Sequence, residues 1–537
     1  MRRMVTYKID LILLLAAAAS LISSCVIVSP KKPFWNDELI AWTVIHDPSL
    51  SHMLSALRNN VDFAPPLFHL SARMWALVFG GEEMGLRLFA SAGFCVALVL
   101  LWRTLRRYYG TIATGFGLLT IWCTSDLFLY QNSEARNYGL FCGAAALTVA
   151  AFCALAESGE KITLPVAGVT IASQVLLVMS HLYGIVYGAV TLLALAVWDL
   201  LNRRFRPAVY AIFAAGWLVL VPWLPTILRE SQTSKPYGWI PVPTLADLAR
   251  VSSFYISSHE LFIFLALMMA GVLLASSAVL SVEKPAQSQP LRGGGPLIAV
   301  AIAYAAVPLV AYVGSHVVNP FFLDRYMLPS FIGAAILLAT MAEALVEKAN
   351  FLPAVPQDWR ALASFFVFLV FAAFFAGLIA NPIFRALGPP PLPDVRANLG
   401  PANAVEALLP RNLPVVTEQV YDFMTLTHYS PRPDRPYYFV VDLQAATDPR
   451  VPRWELFMQR ERQNWKENGY MADRTLTTSE FLCSFDTFLV LHYPGLVWSE
   501  IRVQADPAFE TQFLGMIGDR SLLWVNRRPG LLPTACR

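Results

Sequence analysis

Five short stretches of this 537-residue chain set residues capable of acid–base or anion chemistry beside long apolar runs. The first is Lys31-Lys32-Pro33-Phe34-Trp35-Asn36-Asp37-Glu38, with Trp42 four residues on. The second is Glu134-Ala135-Arg136-Asn137-Tyr138, and the third is Ser180-His181-Leu182-Tyr183-Gly184. The fourth, residues 231–239, carries Lys235 and Tyr237, and the fifth is Asp324-Arg325-Tyr326. A carboxylate is the simplest general base, and two adjacent ones raise each other's affinity for a proton. Arginine offers a fork that matches phosphate, and His181 can hydrogen-bond phosphate or sugar. Each stretch also has a plain structural reading. Asp37 or Glu38 can cap a helix that starts at Asn36. Glu134 with Arg136, and Asp324 with Arg325, can be local ion pairs with a snorkelling arginine. His181 can be a satisfied residue at a helix end, and residues 231–239 a plain interfacial connector. Capping needs only one carboxylate of the first pair, so both readings hold there at once.

The elements that must position these groups are membrane helices. The chain is 56% hydrophobic and 14% charged, with mean hydropathy +0.52. An ordinary soluble protein is about a quarter charged, so a cytosolic enzyme, a disordered chain and a fibrous repeat are excluded. A net charge of +3 offers no polyanion-binding surface and excludes nucleic acid as a partner. Residues 1–381 hold 44 charged side chains and residues 382–537 hold 33, so the tail is about twice as charged per residue. The chain therefore divides into a membrane part (1–381), a Pro-rich linker (382–400) and a soluble part (401–537).

Apolar runs near the ~20 residues that cross a bilayer occur at 9–29, 87–102, 112–130, 138–156, 162–180, 184–201, 207–226, 260–281, 295–315, 326–346 and 361–381. Residues 65–80, with His69 and Arg73, are too short and read as interfacial or re-entrant. Arg2, Arg3, Arg103, Arg106, Arg107, Arg203, Arg204 and Arg206 cluster at alternate helix ends, which places the N-terminus inside the cell. Eleven spans then place the tail, and all five polar stretches, in the periplasm or an equivalent compartment. The N-terminal run also resembles a signal peptide, and an uncleaved first span is the preferred reading. Five cysteines lie within spans. Cys483 and Cys536 lie in the tail, where an oxidising compartment permits a disulfide. Polar groups at one depth fit neither a pore nor a broken-helix transporter. They suit a reaction on a lipid-borne substrate.

In order and spacing these stretches resemble the polytopic GT-C glycosyltransferases of family 39 type, which include protein O-mannosyltransferases and bacterial lipid A aminoarabinose and galacturonic acid transferases. Asp37-Glu38 resembles the acidic pair of the family's first outer loop. Asp62-Phe63-Ala64-Pro65-Pro66-Leu67-Phe68-His69 is similar to the stretch that follows it, and Glu134-Ala135-Arg136-Asn137-Tyr138 to the Glu-Ala-Arg-x-Tyr segment. Ser180–Gly184 and Asp324–Pro329 resemble later signatures, so the resemblance covers about residues 10–345.

The resemblance implies an α-helical polytopic membrane protein of GT-C type; the apolar runs give it about eleven transmembrane helices, and the tail reads as a C-terminal periplasmic α/β domain. The resemblance also implies inverting transfer of a sugar from a polyprenyl-phosphate donor to an envelope glycolipid or polysaccharide, in the bacterial inner membrane. Asp37 is then the general base and Glu38 its orienting partner. Arg136 and Arg325 hold the leaving phosphate, with Glu134, Tyr138, His181, Tyr183 and Tyr326 lining the site and Lys235 on a closing loop. Carboxylates and phosphate suit Mg²⁺ or Mn²⁺, but no obligatory ion is expected. The tail reads as alternating strands and helices, with strands at 414–417, 437–442, 485–492 and 521–526 and a helix over 454–470. The alternative functions are a transporter or flippase of lipid-linked sugars, and an inactive binding or assembly scaffold.

Overall fold

The computed structural model describes residues 2–159, 162–234, 240–255, 294–349, 360–389, 402–410, 413–432 and 434–537. These residues form two compact units, each drawn from separated parts of the chain. The helical unit comprises Met1–Lys31, Ala64–Pro222 and Val242–Pro390. The second comprises Lys32–Phe63, Trp223–Pro241 and Pro391–Arg537. The first loop thus groups with the tail, across a break in sequence that charge density does not register.

In the helical unit seven described helices are long and apolar enough to cross a membrane: Tyr7–Lys31, Glu83–Leu105, Tyr138–Glu157, Gly184–Leu201, Pro207–Arg229, Gly295–Val317 and Phe368–Leu387. Pro207–Arg229 runs past this unit's boundary at Pro222. Leu164–Ser180 and Ser330–Leu345 are shorter apolar helices at two further expected spans. The expected span at 260–281 lies outside the described residues. The expected span at 112–130 is not straight: Thr111–Thr124 bends by 69° into Asp126–Asn132. Ser125 explains the break, because its hydroxyl accepts the Phe128 N–H at 3.3 Å and caps the second piece. Residues 67–79 form a 13-residue helix, about 20 Å long and too short to span. That helix leaves Met74, Leu77, Val78 and Phe79 exposed.

These helices expose apolar side chains such as Ile12, Leu15, Leu193, Val197, Leu218 and Phe368, which only lipid solvates cheaply. Inside, Phe94, Leu98, Trp102, Trp122, Phe141, Tyr187, Tyr304 and Phe331 form one buried core. Small residues set the closest helix approaches. A Cβ at Gly139 would stand 1.9 Å from the Ala90 carbonyl oxygen, and one at Gly117 2.3 Å from that of Ala335. Several arginines used to orient the chain are tied into this unit. Arg106 Nε meets both oxygens of Asp10, at 3.0 and 2.9 Å. Buried Arg206 pairs with buried Asp199 at 2.6 Å and donates to the carbonyls of Leu155 and Ser158.

The second unit contains a six-stranded mixed sheet in the order β3-β2-β1-β4-β6-β5. Its strands are β1 Val415–Thr417, β2 Tyr437–Val441, β3 Thr475–Thr477, β4 Thr487–His492, β5 Phe509–Ile517 and β6 Arg520–Arg527. β1 to β4 are parallel, and β4, β6 and β5 are antiparallel. Helix Arg453–Glu467 stands where a polar helix was expected. Cys483 and Cys536 form a disulfide with Cα atoms 5.8 Å apart. The expected linker begins inside helix Arg360–Leu387, which continues through Pro382, and residues 390–401 lie outside the described set.

Candidate functional site

The acidic pair opens helix Asn36–Ile45. Glu38 is fully buried, and its Oε2 accepts the Trp35 N–H at 3.1 Å. Glu38 is therefore the capping carboxylate, and Asp37, one residue before it, is only half-buried. The residues around the pair come from the tail. Phe34 N–H donates to the Tyr429 hydroxyl at 2.6 Å, and Trp42 meets His428 edge-on at 4.4 Å. Trp465 Nε1–H donates to the Val61 carbonyl at 2.7 Å, and Phe63 stacks on Phe457 at 5.5 Å. His52 Nδ1 donates to Asp47 Oδ2 at 2.5 Å, its Nε2 to the Asn468 carbonyl at 2.9 Å, and the Tyr470 hydroxyl also donates to Asp47. The bond to Asp47 raises the His52 pKa above its usual value, against partial burial. Burial raises that of Asp47, but bonds from Tyr470, Ser49 and His52 outweigh it and lower it.

This anchoring brings together acids that the sequence keeps far apart. Glu461 is buried, and burial raises its carboxyl pKa to about 7. Adjacent Arg462 opposes the shift, bonding Glu461 Oε1 at 3.1 Å, while the charges of Asp37 and Asp62 add to it. Arg462 lies 4.0 Å over the Trp465 ring. Asp37, Asp62 and Glu461 thus form one electrostatic group. Sequence reasoning missed Glu461, because helix 454–470 reads as an ordinary solvated helix. Asp62 carried a signal in its place before Pro65-Pro66. Among the described residues no three His, Cys, Asp or Glu side chains are set to hold a metal ion.

The helical unit brings another group together. His181 is buried, 4.9 Å from the Phe141 ring and 4.6 Å from Tyr326, which it meets edge-on. Tyr138 lies 6.0 Å from His181, and Tyr183 5.1 Å from Tyr326. The His181 Nδ1 accepts the Tyr183 N–H at 3.0 Å, so a neutral ring carries its proton on Nε2. The Tyr183 hydroxyl donates to the Phe321 carbonyl at 2.5 Å. Arg325 lies 5.8 Å from the Tyr326 ring centre. Its neighbour Asp324 pairs with Arg250 at 3.2 Å, so the local pair expected there is not the whole arrangement. Burial raises the Asp324 pKa, with Arg250 opposing.

In the second stretch Glu134 is buried, and its carbonyl accepts the Arg136 N–H at 2.8 Å. Asn137 Nδ2 donates to the Ser180 carbonyl at 2.7 Å, which ties the second stretch to the third. Glycines 139 and 184 are explained by packing, since a Cβ at Gly184 would stand 2.2 Å from the Leu177 carbonyl oxygen. Thus Tyr138, His181, Tyr183, Arg325 and Tyr326 lie in one group of the helical unit, with Glu134 and Arg136 on the adjoining turn. Asp37 and Glu38 belong to the other unit. Lys235 and Tyr237 lie outside the described residues.

No family model matches the chain, nor does any curated protein sequence. Solved structures do match along almost its whole length. ArnT from Cupriavidus metallidurans bound to undecaprenyl phosphate aligns over 95% of this chain and 97% of its own, at TM-score 0.57 and 14% identity. The same protein in the apo state aligns over the same shares at TM-score 0.56 and 15% identity. The chain has the ArnT-like GT-C fold. A GT-C chain of this kind is a multi-pass membrane protein, in line with the apolar spans. At this identity the likeness establishes architecture, and the chemistry must be argued from the residues.

Proposed function

We propose that the protein is an inverting membrane glycosyltransferase that moves a sugar from a polyprenyl-phosphate donor to an envelope glycolipid or polysaccharide on the periplasmic face. The observation that carries this reading is the division of labour in the acidic pair. Glu38 is committed to the backbone, and half-buried Asp37 stands in an electrostatic group with Asp62 and Glu461. In the step, Asp37 takes the proton of an acceptor hydroxyl. The oxygen attacks the anomeric carbon, and the bond to the donor phosphate breaks with its electron pair leaving on phosphate. Arg136 and Arg325 hold that phosphate. His181, fixed through Nδ1, presents an Nε2–H for phosphate or a sugar hydroxyl. The ArnT structure with undecaprenyl phosphate supports the donor class.

A GT-C scaffold that only moved lipid-linked sugars would not need a proton acceptor at Asp37. The test is mass spectrometry of envelope glycolipids and polysaccharides from cells with wild-type protein, with Asp37→Asn and without the protein. A glycan mass increment present only with wild type supports transfer. An increment that persists with Asp37→Asn removes the assigned base. We place no obligatory metal ion in the step, and transfer by purified protein should survive EDTA.

A further inference from the structure

The helical unit holds a further arginine beside Arg325, on an element outside the five polar stretches of the sequence. Helix Leu245–Tyr255 starts at a reciprocal cap. The Thr244 N–H and hydroxyl each donate to Asp247 Oδ2 at 2.8 Å, and the Asp247 N–H donates back to Thr244 Oγ1 at 3.3 Å. Those bonds from Thr244 hold the Asp247 carboxyl below its usual pKa, with the charge of Arg250 adding to the effect. Buried Val251 fixes the helix to the core of this unit. Arg250, almost one turn after Asp247, is then held at two points. Its Nη2 meets Asp247 Oδ1 at 3.1 Å, and its Nε meets Asp324 Oδ2 at 3.2 Å.

Asp324 opens the short turn Asp324–Met327, which continues with Arg325 and Tyr326. Packing fixes the far end of that turn: Met327 and Leu328 are fully buried, and the Ser330 hydroxyl donates to the Met327 carbonyl at 2.6 Å. The near end carries the half-buried Asp324 carboxyl. Burial raises its pKa; the charge and hydrogen bond of Arg250 oppose the rise, Asp247 adds to it, and the charge of Arg325 opposes it again. Two arginines therefore act on one carboxylate, and the second of them is the residue read as holding the donor phosphate. A guanidinium engaged by a carboxylate is a poorer partner for phosphate, because both anions want the same N–H fork. With Arg250 in place, Asp324 is matched by a cation from another element. Without Arg250, Arg325 would be the remaining arginine of the two.

We propose that Arg250 is a positioning residue for donor binding: by occupying Asp324 it leaves the neighbouring Arg325 guanidinium to the phosphate of the polyprenyl donor. The proposal rests on the reading that Arg325 holds that phosphate. Arg250 acts through Asp324 and touches no reacting atom. Its side chain is 55% exposed, and exposed ion pairs add little to stability, so its loss should leave the fold intact. The rival explanation for any loss of binding is direct contact between Arg250 and phosphate. The two are separable, because a direct contact goes for good with Arg250, whereas capture of Arg325 by Asp324 is undone by removing the acid.

The experiment measures binding of undecaprenyl phosphate to the full-length protein in nanodiscs of zwitterionic lipid. Arg250→Gln should weaken binding about tenfold, the size of one charge-assisted contact. The double variant Arg250→Gln/Asp324→Asn should return to within about twofold of wild type, a coupling that independent sites do not show. In an Arg325→Ala background, Arg250→Gln should cost nothing more, since no guanidinium is left there for Asp324 to capture. Melting curves matching wild type certify each variant as folded, and a merely structural loss would not be repaired by removing a second charged group. Wild-type affinity in a folded Arg250→Gln protein would overturn the proposal. So would a double variant that binds as weakly as Arg250→Gln, which would make Arg250 itself the phosphate contact. Failure of wild type to bind the lipid, or full affinity in Arg325→Ala alone, would instead strike the phosphate reading and this proposal with it.

Discussion

The candidate groups in the two units differ in the charge they collect. The unit holding the first loop and the tail collects acids: Asp37, Asp62 and Glu461 sense one another, and burial raises Glu461 toward neutrality. The helical unit collects rings and bases: His181 sits among Phe141, Tyr138, Tyr183 and Tyr326, and Arg325 lies along Tyr326. Under the proposed reaction this is a division by reactant. Acids serve the hydroxyl that must lose a proton, and arginines with a neutral imidazole serve the phosphate that must leave with charge. A transporter of the whole lipid-linked sugar would need the second set and not the first.

The sharpest way to break this comparison is Asp37→Asn. Transfer should fall about 10²- to 10⁴-fold, the usual worth of a general base, with donor affinity unchanged. If donor binding falls as far as the rate, the acid set is not serving the hydroxyl. Next, Arg325→Ala should weaken binding of a polyprenyl-phosphate sugar by about 10- to 100-fold, as expected for the loss of a charge-assisted bond of ~1.5–3 kcal/mol. Donor affinity equal to wild type would take the phosphate role from the helical unit.

Glu461→Gln tests the coupling inside the acid set. A carboxyl raised from 4.5 to about 7 in the folded state makes stability fall as pH rises between those values. The Gln variant should lose that dependence and melt higher than wild type at pH 8. An unchanged pH profile of melting would mean that Glu461 is not titrating there. The smallest effect belongs to His52. Its raised pKa gives stability that is complete below about 6.5 and lost as pH rises through the folded value. The side chain is 46% exposed, so salt screens much of the effect. His52→Ala should shift the melting temperature slightly at pH 6 and not at pH 9, and an equal shift at both would assign the loss to packing.

Much of the architecture was legible because lipid imposes a length and a composition on each spanning helix. Period and β-branched content likewise exposed β1, β2, β4 and β6. The elements that escaped have physical reasons. β5, Phe509–Ile517, faces solvent over most of its length and so has no apolar alternation. Its only signal was Gly518-Asp519, a two-residue hairpin turn in which Gly518 takes φ +61°. The 69° bend at Ser125 hid inside a continuous apolar run. Among the candidate residues, the ordered motifs singled out Asp37, Glu134, Arg136, His181 and Arg325. Glu461 remained invisible because a buried acid on an amphipathic helix looks like any exposed one until its neighbours are known. Likewise, which carboxylate of the first pair caps the helix could not be read from types and spacing, since either can accept a backbone N–H.

The bond from Trp465 to the Val61 carbonyl joins residues 404 positions apart, and that from Tyr470 to Asp47 joins residues 423 apart. Ribosomes extend a chain by about 5–20 residues per second, so the anchors of the first loop emerge roughly 20–80 s after the loop itself. During that interval the loop carrying Asp37 lacks its tail partners. Biogenesis therefore contains a built-in delay: a nascent or truncated copy can occupy the membrane without this loop being held in its finished setting, and maturation of the protein is timed by the arrival of its last quarter.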